Sequence, residues 1–216
     1  MKQGWKRSFL YNWYNISVFI AGLLSVLLVI GDWDMRQKML IGGGVIIFLH
    51  FFEEFGFPGG FAPMGLKVEM NNTDSDSHNW SLNQLNSLIG NWYCAIVIYI
   101  LPLFLPNVSF MILAAAIFGI VEVLGHLFMF NIACKVFYNP GLATAVFGLA
   151  PISIWYFISI WNQHLYGGWD IALAIAWIGF NYLLVFRGPI YNKLGSMSDR
   201  YAFTPEKVSK GAKYLK

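Results

Sequence analysis

Charge is what this sequence has least of. Only 12% of its 216 residues are Asp, Glu, Lys or Arg, while 57% are hydrophobic. A soluble domain carries about twice that share of charge, so an ordinary water-facing surface is excluded. Cysteine is scarce too. Cys94 and Cys134 both lie within or at the end of apolar blocks, which excludes a disulfide framework. Period-two alternation is missing, and with it a barrel of strands, because barrel strands alternate lipid-facing and lumen-facing residues.

What is there is a series of apolar blocks, each of about 18 to 22 residues, the length a helix needs to cross about 30 Å of hydrocarbon. Backbone groups in lipid must pair within their own segment, so such blocks are helices. The expected spans are 13–31, 39–57, 88–105, 108–130, 142–161 and 169–186. This predicts an all-α integral membrane bundle of six helices, a single domain over residues 1–190. A loop over 58–87 and a basic tail over 191–216 complete it. Six spans place both termini on one side, together with the loops after the second and fourth. That side then holds 12 Lys and Arg residues, against Arg36 and Lys38 on the other. The positive-inside rule makes it the cytoplasm. The basic tail reads as a segment lying on anionic headgroups rather than on nucleic acid. Trp5, Trp13, Trp33, Trp92, Trp161 and Trp169 read as an interfacial belt.

Several local features interrupt the apolar blocks. Gly42, Gly43 and Gly44 in the second span let another helix approach closely. The loop from Pro58 opens on the turn-rich stretch Phe57-Pro58-Gly59-Gly60-Phe61, and residues 80–88 have the spacing of an amphipathic helix at the interface. Tyr138-Asn139-Pro140-Gly141 forms a turn between the fourth and fifth spans.

The ionisable residues inside the spans carry the functional information. His50, Glu53 and Glu54 stand at i, i+3 and i+4 on one face of the second span, and Glu122 and His126 at i and i+4 on the fourth. Both helices run the same way, and the rise of a helix puts the two groups at about the same depth. An acidic residue at a helix centre costs about 2.5–3.5 kcal/mol on insertion scales. Three bare glutamates are therefore untenable without protons, water or cations. His50, Glu53, Glu54, Glu122 and His126 offer three carboxylates and two imidazoles, a set that suits one or two divalent metals, zinc or iron. Asn91 and Asn181 fall in the same half of the membrane as supporting amides, Asn131 and Asn139 read as caps or turn residues, and His164 belongs to the opposite side.

His50-Phe51-Phe52-Glu53-Glu54, with Phe57-Pro58-Gly59-Gly60-Phe61, Tyr138-Asn139-Pro140-Gly141 and His126 shortly before that turn, resembles the HXXEE family of integral membrane proteins. The resemblance runs from about residue 39 to 145. It implies a multi-pass protein of a bacterial-type cytoplasmic (inner) membrane and supports the same site residues, but supplies no reaction. The expected function is a metal-dependent hydrolase in the membrane. Glu53 or Glu54 would act as general base on a lipid, prenyl or membrane-peptide substrate near the cytoplasmic leaflet. A di-iron oxidoreductase acting on a lipid or quinone, a metal or proton transporter, and a non-catalytic scaffold or immunity protein are the alternatives.

Overall fold

The computed structural model describes residues 2–215, with side chains from Arg7 onward. The side chains of Lys2, Trp5 and Lys6, and all of Lys216, lie outside the described residues, so their expected topological and interfacial roles are set aside. The described residues are helical throughout, with no strand. A short α1 (Lys2–Tyr11) leads into α2 (Trp13–Ile30) and α3 (Met35–Phe55). After α4 (Phe61–Met70) come α5 (Gln84–Phe104), α6 (Ser109–Cys134) and α7 (Leu142–Ile160). The chain ends in α8 (Gly168–Phe186), α9 (Pro189–Gly195), α10 (Ser198–Tyr201) and α11 (Pro205–Gly211).

Five helices are long and apolar enough to cross a membrane: α2, α5, α6, α7 and the run that begins with α8. The sixth expected span is α3. It has 21 residues, but it carries Arg36 and Lys38 in its first turn and His50, Glu53 and Glu54 near its end. Those charges are affordable because α3 is the central helix, packed against α2, α5, α6 and α7. Fourteen of its residues are buried. It begins four residues earlier than its apolar run, at a capping box in which Asp34 accepts from the Gln37 amide and Gln37 accepts from that of Asp34.

The glycine run of α3 meets three different neighbours. Gly42 faces Ile152 of α7, Gly43 faces the Tyr99 ring of α5, and Gly44 faces Leu24 of α2. Close approach thus happens on three sides of the central helix rather than on one.

Three expectations change. Residues 80–88 form no separate interfacial helix. Trp80 is fully buried against Phe203, and Asn83 caps a helix that starts at Gln84 and continues into the span. Trp13 is likewise buried, on Phe51 and Phe55, whereas Trp161 and Trp169 are the exposed ones. The tail is folded against the bundle. α10 and α11 fold back beneath the bundle, where Tyr11 and Ser77 hydroxyls donate to the carbonyls of Ala202 and Phe203. Lys207 and Lys210 donate to the carbonyls of Phe55 and Gly56, which α3 leaves unpaired at its C-terminus.

The glycine packing makes a testable contrast. Gly43→Val forces the buried Tyr99 ring to move and should cost about 1–3 kcal/mol of stability. Gly22→Ala, at a helix position with open space around it, should be neutral or stabilising by about 0.5–1 kcal/mol. Thermal unfolding in mild detergent checks both.

Candidate metal centre

α3 and α6 bring four of the five expected residues to one point. His50 and Glu54 come from successive turns of α3, and Glu122 and His126 from successive turns of α6. His50 Nε2 lies 3.5 Å from Glu54 Oε1 and 3.8 Å from Glu122 Oε2. His126 Nε2 lies 3.5 Å from the same Glu54 oxygen and 3.9 Å from the same Glu122 oxygen. The two imidazoles meet edge to face with ring centres 4.8 Å apart. Both histidines and Glu54 are buried, while the Glu122 side chain retains 26% of its exposure.

The hydrogen bonds around the cluster assign the tautomers. Asn139 donates both of its amide hydrogens, to the His126 carbonyl at 2.8 Å and to Asn131 Oδ1 at 2.7 Å, so its Oδ1 is an acceptor. His126 Nδ1, 2.6 Å away, must then be the donor. Thr144 gives its single hydroxyl hydrogen to Glu53 Oε2 at 2.6 Å, so His50 Nδ1, 2.9 Å from Thr144 Oγ1, must donate to that hydroxyl oxygen. In its neutral form each imidazole therefore turns an Nε2 lone pair toward the two carboxylates. Four acceptors then face one another, and the cluster needs a cation or added protons to hold it. Their separations are too long for hydrogen bonds and suit ligands sharing a central cation.

Glu53 is the residue that does not join. Its Oε1 accepts from the Tyr138 hydroxyl at 2.8 Å and the Ala143 amide at 3.0 Å. Its Oε2 accepts from the amide and hydroxyl of Thr144. These partners stand at the start of α7, where orphan N–H groups favour a carboxylate. Glu53 thus supports His50 through Thr144 and is not positioned as a ligand or as a base at the cluster. Of the two expected amides, Asn91 lines the adjoining cavity, whereas Asn181 is committed elsewhere, accepting from Tyr93 and donating to the Trp177 carbonyl.

The turn 138–144 is the part of the site that motif reading underrated. Asn139 is wholly buried and fixes His126, although a simple turn role was expected of it. Gly141 sits at φ +102°, and a Cβ there would run into the rings of both His126 and His50. α6 also widens into π-helical turns over Gly125–Phe130, around His126, and α7 does so just after Thr144. Such widenings re-aim side chains and are frequent at functional sites.

A cavity of about 80 Å³ adjoins the cluster, with Glu54, Glu122, Asn91 and Cys94 among its polar walls and phenylalanines around them. Glu69 of α4 also reaches it, within 3.4 Å of the Tyr182 hydroxyl. Burial pushes the Glu69 carboxyl up to about 7 against the opposing pull of Arg187, whose guanidinium binds the Glu69 carbonyl. The sequence offers one weak cue for Glu69, a single acid in a ten-residue helix whose one other charge is Lys67.

Thr144 supplies a test of this network. Thr144→Val leaves His50 Nδ1 and one Glu53 oxygen short of a buried partner and should cost about 1–3 kcal/mol, while Thr144→Ser, which keeps the hydroxyl, should cost far less. Comparison of the two melting curves decides it.

Residues 41–156, more than half of the chain, match the family model described as a protein of unknown function with HXXEE motif. No curated protein and no solved structure matches the chain. The matched stretch holds all four residues of the cluster together with Glu53, Asn139 and Thr144, and by this match the chain belongs to the HXXEE family.

Proposed function

We propose that this protein is a membrane-embedded, metal-dependent hydrolase in which His50, Glu54 and His126 hold one divalent ion and Glu122 works beside it. The observation that carries this reading is the meeting of two imidazole lone pairs and two carboxylate oxygens at separations of 3.5–3.9 Å. Ligands bound about 2.1 Å from a tetrahedral ion stand about 3.4 Å apart, close to the 3.5 Å between Glu54 Oε1 and each imidazole nitrogen. The Nδ1 partners Asn139 and Thr144 are the kind of outer hydrogen bonds that orient metal-binding histidines.

Catalytic sites keep one position open, and of the four cluster residues lining the cavity Glu122 is the least buried. An ion bound here supplies Lewis-acid activation of a water molecule. Glu122 accepts that water's proton as general base. The second amide hydrogen of Asn91, whose first goes to the Ser87 carbonyl, is available for a developing oxyanion. Glu69, half protonated near neutral pH, returns a proton to the leaving group. In this scheme Glu53 positions His50 and is not the base.

The substrate is a lipid, prenyl compound or membrane peptide presented at the cytoplasmic leaflet. A cavity of about 80 Å³ holds only two or three waters. A scissile group enters it when the surrounding phenylalanines move. The same reading makes α3 a sixth span, shielded from lipid by α2, α5, α6 and α7. It places both termini in the cytoplasm of an inner membrane, consistent with the distribution of Lys and Arg.

Two alternatives have less support. A di-iron centre needs bridging carboxylates, and with both Glu53 oxygens engaged, His50, Glu54 and His126 with Glu122 beside them suit a single ion. A transporter needs a polar path onward, yet residues 39–49 of α3 are all apolar or glycine.

Elemental analysis of protein purified in mild detergent is the direct test. About one zinc or iron per chain is expected, lost in both His50→Ala and His126→Ala. Glu53→Gln should retain the ion with affinity lowered about 10–100-fold. Metal content that is the same in His50→Ala as in the unaltered protein would refute the assignment.

A further inference from the structure

A second cavity, of about 490 Å³, lies at the foot of the bundle, apart from the metal centre. It is ringed by the beginning of α2 at Tyr14, the end of α3 at Gly56, the beginning of α5 at Gln84, and by Lys207 and Lys210 of α11. Helix ends at the boundary of apolar spans sit at the level of lipid headgroups. The volume is in the range of small-ligand sites.

Three features give the cavity its chemistry. Lys207 and Lys210 each donate one N–H to a carbonyl at the end of α3, which fixes the ammonium groups. Lys207 Nζ also stands over the Tyr14 ring, and Lys210 Nζ lies 4.0 Å from Glu206, the single carboxylate on the wall, so the wall keeps one cation in excess. Gln84 is fully buried, yet neither its amide nitrogen nor its amide oxygen has a hydrogen-bond partner in the protein. An orphaned buried amide of this kind costs about 1–3 kcal/mol unless something else satisfies it. At the mouth, Phe57 is 74% exposed, an apolar side chain beside a polar cavity.

We propose that this cavity binds the headgroup of an anionic phospholipid. The phosphate sits on Lys207 and Lys210, and the cavity wall opens onto the buried Gln84 amide, which pairs with the phosphate through its nitrogen and with a headgroup hydroxyl through its oxygen. The acyl chains leave past Phe57 along the apolar helices. The need for both a donor and an acceptor partner at Gln84 favours a hydroxyl-bearing headgroup such as glycerol over choline, whose ammonium would also face the two lysines.

The test is thermal unfolding of the full-length protein in a neutral maltoside detergent, with added dioleoylphosphatidylglycerol, dioleoylphosphatidylcholine or glycerol 3-phosphate. Phosphatidylglycerol is expected to raise the melting temperature by about 3 °C or more, and the other two to leave it nearly unchanged. The Lys207→Gln/Lys210→Gln double variant should lose the shift. Since those lysines also cap α3, Gln84→Met serves as an independent variant. It removes the orphaned amide and should melt higher than the unaltered protein without lipid, while showing a smaller lipid shift. An equal shift with phosphatidylcholine, or a phosphatidylglycerol shift that survives in Gln84→Met at full size, would overturn the proposal. A full shift from glycerol 3-phosphate alone would overturn the lipid as its source and assign the site to a soluble phosphate ester.

Discussion

The meeting of two imidazoles and two carboxylates in an apolar bundle, which only a cation or added protons can hold together, is the constraint on which the rest of this structure turns. Two imidazole lone pairs and two carboxylates at 3.5–3.9 Å do not stay together unaided in a low-dielectric interior. Packing holds them there from three directions. α3 supplies His50 and Glu54, α6 supplies Glu122 and His126, and the turn before α7 locks both imidazoles through their Nδ1 atoms. None of these could relax independently, because Gly141 fits directly against both rings.

The central placement of α3 follows from the same constraint. A helix that carries two glutamates and a histidine in its last two turns is a poor candidate for contact with lipid, since each bare charge costs several kcal/mol there. Surrounded by α2, α5, α6 and α7, it needs no lipid-facing side. The glycines at 42–44 let those neighbours pack on it from several directions. The basic segment around α11 then finishes the lower end of α3, where unpaired carbonyls would otherwise meet the headgroup region.

Much of this was legible before any coordinates. The apolar blocks located five long spans to within a few residues, and the spacings of His50 to Glu54 and Glu122 to His126 showed which residues share a helix face. What spacing could not convey was direction. Glu53 and Glu54 are adjacent on α3 and about 100° apart around its axis, so a set of five ligands was a natural reading. The separation of their roles depends on what stands opposite, namely Thr144 and the open N–H groups at the start of α7. Trp13 and Trp80 were misplaced for a related reason. An aromatic near the end of a span reads as interfacial unless another segment covers it, and here the end of α3 covers Trp13 while α10 and the chain around Phe203 cover Trp80.

The turn 138–144 is where local sequence and site chemistry are most closely joined. Asn-Pro-Gly is an ordinary turn signal, and read alone it needs no function. In this chain each of its members has a second duty. Tyr138 and the backbone of residues 143 and 144 engage Glu53, Asn139 engages His126, and Gly141 gives the two rings room. A turn chosen only to reverse the chain would tolerate Asp or Ser at position 139. A serine would be too short to reach His126, and an aspartate would place a further negative charge beside two carboxylates that already lack a donor. Asparagine offers an acceptor for the imidazole and two donors for its surroundings without adding charge. That combination lets the turn aim a neutral histidine lone pair at the centre of the cluster.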